Sequence, residues 1–156
     1  MRLGTPMPSL DGATEWVNGG PVTAEELRGQ PTLIHFWAVS CHSCHDMMPA
    51  LRQWRDQYAP QGLQVISIHQ PRSEADLDLE AAKQAIHENN LVHPVALDHS
   101  YAIVDAWENK FVPAFYLFDS EGKLRHYQAG DRGQRMIQQA IERVLAAAAA
   151  APTSGG

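Results

Sequence analysis

Both cysteines of this 156-residue chain, and two of its eight histidines, fall within Cys41-His42-Ser43-Cys44-His45. Three chemistries share that spelling. Cys-x-x-Cys-His is the attachment sequence of a c-type haem, Cys-x-x-Cys with nearby histidines can build a zinc site, and Cys-x-x-Cys between a strand and a helix is a redox dithiol. A structural staple is a poor fourth choice. Two cysteines three residues apart close so small a loop that little unfolded-state entropy is removed.

The elements that would position these residues can be read on either side. Thr32–Val39, TLIHFWAV, is short, apolar and rich in strand formers, so it reads as a buried strand. After the cysteines, Met47, Leu51, Trp54 and Tyr58 recur on one helical face. The dithiol therefore sits where a buried strand meets a helix. Pro49 lies inside that helix and is expected to kink it.

Upstream, the first 22 residues are rich in turn formers, and Thr23-Ala24-Glu25-Glu26 has the spacing of a capping box for a short helix ending near Arg28. Downstream, a second buried strand is expected over 63–69, an acidic amphipathic helix over 74–89, a strand over 92–98 and a helix over 99–108. Segments 113–119 and 123–129 alternate and read as a hairpin. The last helix carries Met136, Ile137, Ala140, Ile141, Val144 and Leu145 as its stripe, frays over the alanine run from Ala146, and gives way to a flexible tail at 151–156. Strands alternating with helices imply a three-layer α/β/α domain over 1–150, with a mainly parallel sheet to which the hairpin adds antiparallel strands.

Composition narrows the function. The net charge of -6 and the absence of a Lys/Arg run argue against a nucleic-acid surface. No stretch of 18 apolar residues suggests a membrane span, and the N-terminus lacks the apolar core of a signal peptide. A cytoplasmic, monomeric protein is expected, or one whose export segment has been removed.

At a helix N-terminus, unpaired backbone N–H groups and the helix dipole favour thiolate over thiol at Cys41. Cys41 is then the nucleophile toward a partner disulfide, and Cys44, one turn on and less exposed, resolves the mixed disulfide. His42 and His45 could add positive charge when protonated.

The segment Ile34–Pro49, IHFWAVSCHSCHDMMP, resembles the active-site segment of the thioredoxin superfamily: a strand ending in Phe36-Trp37, then Cys41 and Cys44, then Pro49 five residues after the second cysteine. The resemblance covers roughly residues 5 to 145. It implies a thioredoxin-like three-layer α/β/α sandwich with a central mixed sheet. It also implies a cis peptide before Pro113, with Val112-Pro113 facing the dithiol on the substrate side. The extra helix before the third core strand and the ending FDSEGKLRHYQAG are similar to the TlpA-like branch, which includes small soluble thiol–disulfide oxidoreductases of bacilli. Trp37 and Pro49 would shape the site. Where thioredoxin has a buried aspartate two residues before the tryptophan, this chain has His35, a core or tuning residue. Thioredoxin's second tryptophan is replaced by Ser40.

The resemblance implies a thiol–disulfide oxidoreductase acting on protein disulfides, as a reductant supplied by a donor thiol or reductase. No cofactor and no metal site are assigned. Zinc ligands bunched within one helical turn suit a tetrahedron poorly. Haem would need export and an apolar pocket. A peroxiredoxin-like peroxidase would need a hydroxyl residue where Ala38 stands. Glu74 reads as a surface carboxylate, the run Glu74, Asp76, Asp78 and Glu80 as a solvated helix face, His45 as a helix-surface residue, and the remaining histidines carry no assigned site.

Overall fold

The computed structural model describes residues 1–150. The central strand, β2 (Thr32–Trp37), is buried along its whole length. It pairs in parallel with β3 (Gln64–His69) and antiparallel with β5 (Ala114–Phe118). Beyond β3 lies β4 (Val95–Leu97), parallel, and beyond that β1 (Glu15–Val17), antiparallel. On the other side, β6 (Leu124–Ala129) pairs antiparallel with β5, so the sheet order is β1-β4-β3-β2-β5-β6. The sheet is thus mixed rather than mainly parallel. Only β2, β3 and β4 run together, because the hairpin on one flank and β1 on the other both return antiparallel.

The helices cover both faces. Leu33 and Trp37 of β2 point to the face covered by α2 (His42–Tyr58), α3 (Leu79–Glu88) and α5 (Gln134–Ala150). Ile34 and Phe36 point to the opposite face, with α1 (Ala24–Leu27) and α4 (Ala102–Trp107). This is the period-two alternation of a strand buried on both sides. The expected α2 face is the buried one: Met47, Leu51, Trp54 and Tyr58 are all 2% exposed or less. Each such side chain contributes roughly 1.5–3 kcal/mol by leaving water, which fixes the helix against β2 and so fixes its N-terminus.

Several boundaries differ from expectation. β1 arises in the turn-rich N-terminus, where three residues are too few to show a period. The helix expected over 74–89 is broken into a 3-10 turn, Glu74–Leu77, and α3, because Asp78 caps α3 by accepting from Glu80 N–H and Ala81 N–H. The alanine run does not fray: α5 continues to Ala150, in keeping with alanine's helix propensity. Met136 lies off the buried stripe, 57% exposed. The tail expected over 151–156 lies outside the described residues.

Asp98 has a structural task next to the site. Its carboxylate is buried and accepts from Ile103 N–H at 3.1 Å and Val104 N–H at 2.8 Å, which caps α4. Burial raises its pKa, and the two backbone donors oppose that rise. Asp98→Ala should cost about 1–2 kcal/mol, measured as a lower urea midpoint; an unchanged midpoint would remove the cap from the account.

Candidate active site

β2 ends at Trp37, and three residues later Cys41 caps α2 from an extended conformation, φ -88° and ψ 108°. Its Sγ accepts from Cys44 N–H at 3.1 Å. The pair is joined as a disulfide with Cα atoms 5.2 Å apart. Cys41 is half-buried, whereas Cys44 is fully buried. Both join the cluster between the sheet and α2, to which Val39 and Val112 also belong.

The other expected residues take distinct places. The Val112–Pro113 peptide is cis. Pro113 is buried, and Val112 packs against the clusters on both faces of the sheet. The segment before it is held by Asn109, whose Nδ2 donates to Gln70 Oε1 at 2.7 Å and to Phe111 C=O at 2.8 Å, while its Oδ1 accepts from Tyr116 Oη–H at 2.8 Å. Gln70 N–H in turn donates to Trp37 C=O at 2.8 Å, tying that segment to the strand that leads into the dithiol. Trp37 is fully buried, edge-on to His69, with Nε1–H unpaired. Pro49 is exposed and α2 runs on through it, leaving His45 C=O without its usual donor four residues on. His42 is on the surface, 3.8 Å from Asp46. His45 does more than sit on the helix surface: its Nε2–H donates to Val39 C=O at 2.7 Å, folding back over the loop before Cys41.

His35 is fully buried and stacked on Phe115. A chain of hydrogen bonds fixes its tautomer. Arg55 can only donate, so His93 Nδ1 accepts. His93 Nε2–H then donates to Ser67 Oγ at 2.7 Å, and Ser67 Oγ–H donates to His35 Nδ1 at 2.8 Å. The His35 proton is left on Nε2, which has no partner. Burial first, and the neighbouring His93 second, push the His35 pKa down to about 3, so the ring is neutral.

The sequence reading missed a second group. Glu74 is exposed, as expected, but Asp76 is not part of a solvated face: it is 2% exposed. The 3-10 turn rotates it inward, where its Oδ1 accepts from Ser40 N–H at 3.1 Å. Its Oδ2 accepts from Ser40 Oγ–H at 2.7 Å and from Arg72 N–H at 2.9 Å. His69, assigned no role from sequence, accepts from Val39 N–H at 3.3 Å through Nε2. Its Nδ1–H donates to His99 Nε2 at 3.0 Å, and His99 Nδ1–H donates to Leu77 C=O at 3.1 Å. Only the acidic character of the run and two scattered histidines were visible beforehand, and neither signals burial.

The AhpC/TSA family pattern matches residues 3–127. The chain belongs to the AhpC/TSA family. It is 48% identical over 147 residues to the thiol-disulfide oxidoreductase YkuV of Bacillus subtilis, covering 94% of this chain and 98% of that one. A thioredoxin-like protein solved in solution in its oxidized form superposes with a TM-score of 0.85 at 47% identity, over 94% of this chain and 98% of that one. A thiol-disulfide isomerase from Corynebacterium glutamicum, 22% identical, superposes with a TM-score of 0.77 over 88% of this chain and 96% of that one, a likeness of fold. The family member described here is thioredoxin-like in architecture, and the expected sandwich, with α3 as the extra helix between β3 and β4, is the one observed.

Proposed function

We propose that the chain is a thiol–disulfide oxidoreductase that reduces protein disulfides through Cys41 and Cys44. The observation that carries this reading is the half-buried Cys41 Sγ at the N-terminal end of α2, receiving Cys44 N–H, with a fully buried Cys44 one turn on. The name of the Bacillus subtilis relative supports it.

In the reaction, the Cys41 thiolate attacks one sulfur of the partner disulfide. That S–S bond breaks, and the departing partner sulfur takes up a proton. Cys44 then gives up its proton and attacks Cys41 Sγ, the mixed bond breaks, and the partner leaves as a dithiol. Two electrons have moved to the partner, and the Cys41–Cys44 pair is oxidised. A donor thiol or a reductase returns them. The helix N-terminus favours the Cys41 thiolate, and His42 tunes it from the surface. His35 tunes the buried side as a neutral ring rather than as a base. Val112 and Pro113 form the substrate side, and Trp37 and Pro49 shape the site. The reducing direction suits a cytoplasmic setting, and one chain supplies every residue named.

The partners we assign are proteins. Clefts of about 390 and 500 Å³ lie by Arg125 and Arg143 and by Trp107 and Tyr127, and neither includes a cysteine. Small ligands prefer enclosing pockets. The test is equilibration with dithiothreitol or glutathione buffers, read by tryptophan fluorescence. A reversible two-electron couple near about -270 mV is expected of a reductant, and one near about -120 to -180 mV would make the chain an oxidant or isomerase. No reversible couple would overturn the reading.

A further inference from the structure

We propose that Asp76 is a positioning residue that sets the reduction potential of the Cys41–Cys44 couple by fixing a negative charge beside the Cys41 thiolate. This deepens the oxidoreductase reading and rests on it. Asp76 takes both polar hydrogens of Ser40, the residue immediately before Cys41, so its carboxylate is anchored at the end of α2 where the nucleophile sits.

Three features make the charge effective. First, it is buried, so water screens it little. Second, all three of its donors are neutral: Ser40 N–H, Ser40 Oγ–H and Arg72 N–H. Among the described residues no ion pair includes Asp76. Third, the nearest titratable ring is wired to stay neutral. His69 accepts from Val39 N–H and donates to His99, so both its nitrogens are engaged without a second proton. Burial lowers the His69 pKa to about 4. The three hydrogen bonds keep the Asp76 carboxyl ionised, against a burial effect that would raise it. His42, His45 and Asp46 on α2 and half-buried His99 are other titratable groups near the dithiol, and the variants below leave them in place.

Burying a carboxylate without a counter-cation is costly, and perturbed groups of this kind gather at functional sites. Its consequence here follows from the half-reaction. The disulfide plus two electrons and one proton gives a Cys41 thiolate and a Cys44 thiol. Only the reduced form carries the new negative charge, so a fixed carboxylate raises the free energy of that form alone. Asp76 thereby opposes the helix N-terminus and makes the pair a stronger reductant.

The experiment compares the parent chain with Asp76→Asn and Ser40→Ala by equilibration against glutathione, together with the pH profile of Cys41 alkylation in the reduced form. Asp76→Asn keeps an acceptor but loses the charge. Its exchange equilibrium should shift about tenfold toward the dithiol, about 30 mV more oxidising, and its alkylation profile should move to lower pH. Ser40→Ala removes one donor and leaves the charge less neutralised, so the shift should be about threefold in the opposite direction. A purely structural Asp76 would lower the unfolding midpoint of Asp76→Asn and leave its potential within about twofold of the parent, which would overturn the proposal. If Asp76→Asn does not fold, Ser40→Ala decides: no shift, or one toward oxidising, overturns it. A parent chain with no reversible couple overturns the oxidoreductase reading itself.

Discussion

Replacing Cys41 by serine is expected to abolish disulfide exchange, with a loss of at least about 10³-fold in rate, whereas replacing Cys44 should leave the first half of the reaction intact. The difference follows from where the two sulfurs lie. Cys41 Sγ is at the open end of α2 and receives Cys44 N–H. A hydroxyl there is a far weaker nucleophile than a thiolate at neutral pH. Cys44 is fully buried, so in the proposed reaction an incoming partner does not reach it, and its step is on the mixed disulfide already formed at Cys41. Cys44→Ser should therefore accumulate covalent partner adducts, with turnover dependent on added thiol. The adducts are counted on non-reducing gels and their site is mapped by mass spectrometry. Adducts located on Cys44 in a Cys41→Ser chain that still turns over would reverse the two roles.

Acid should destabilise the fold well before carboxylates titrate. His35 and His93 have pKa values lowered to about 3, and His69 to about 4, each chiefly by burial. In the unfolded chain all three return to about 6.5. Between those values the unfolded state binds more protons than the folded one, so stability rises with pH. The contribution is fully present above about pH 6.5 and is lost as pH falls below it. Each histidine contributes a slope of about 1.4 kcal/mol per pH unit within the window. Asp98, whose pKa is raised, acts with the opposite sign, but it is one group against three. A fall on the order of 6 kcal/mol in unfolding free energy from pH 7 to pH 5, less what Asp98 returns, is expected by urea titration. His93→Gln should flatten the slope by about one proton. A flat profile over that range would mean that these rings take up protons without unfolding the chain.

The two predictions rest on residues of unequal legibility. Cys41, Cys44, β2 and the buried face of α2 were readable because their signals are local: a spacing, a run of strand formers, a helical period. The cis Val112–Pro113 peptide came from resemblance alone, since no residue type nearby dictates it. β1 was not readable, because Glu15–Val17 is defined by register with Val95–Leu97, far along the chain. Asp76 looked like its acidic neighbours. What separates it from Glu74 is the rotation of a single 3-10 turn and the two donors that Ser40 presents to it, both of which exist only once the chain is folded. The histidine chain that fixes the His35 tautomer is likewise assembled from β2, β3, the segment before β4 and α2.

The ring closed by Cys41 and Cys44 is small, with a sequence separation of three. Breaking it returns little conformational freedom to the unfolded chain, so the reduced protein should remain folded throughout its cycle. A thermodynamic box then joins four states: folded and unfolded, oxidised and reduced. Its closure requires that the gap in unfolding free energy between the two redox forms equal the gap in potential between the folded and unfolded couples, at about 1.4 kcal/mol for each 30 mV. Whatever the α2 N-terminus and the buried carboxylate do to the thiolate is therefore also stored as folding free energy. Two urea titrations, one on each redox form, weigh the active site without any partner present.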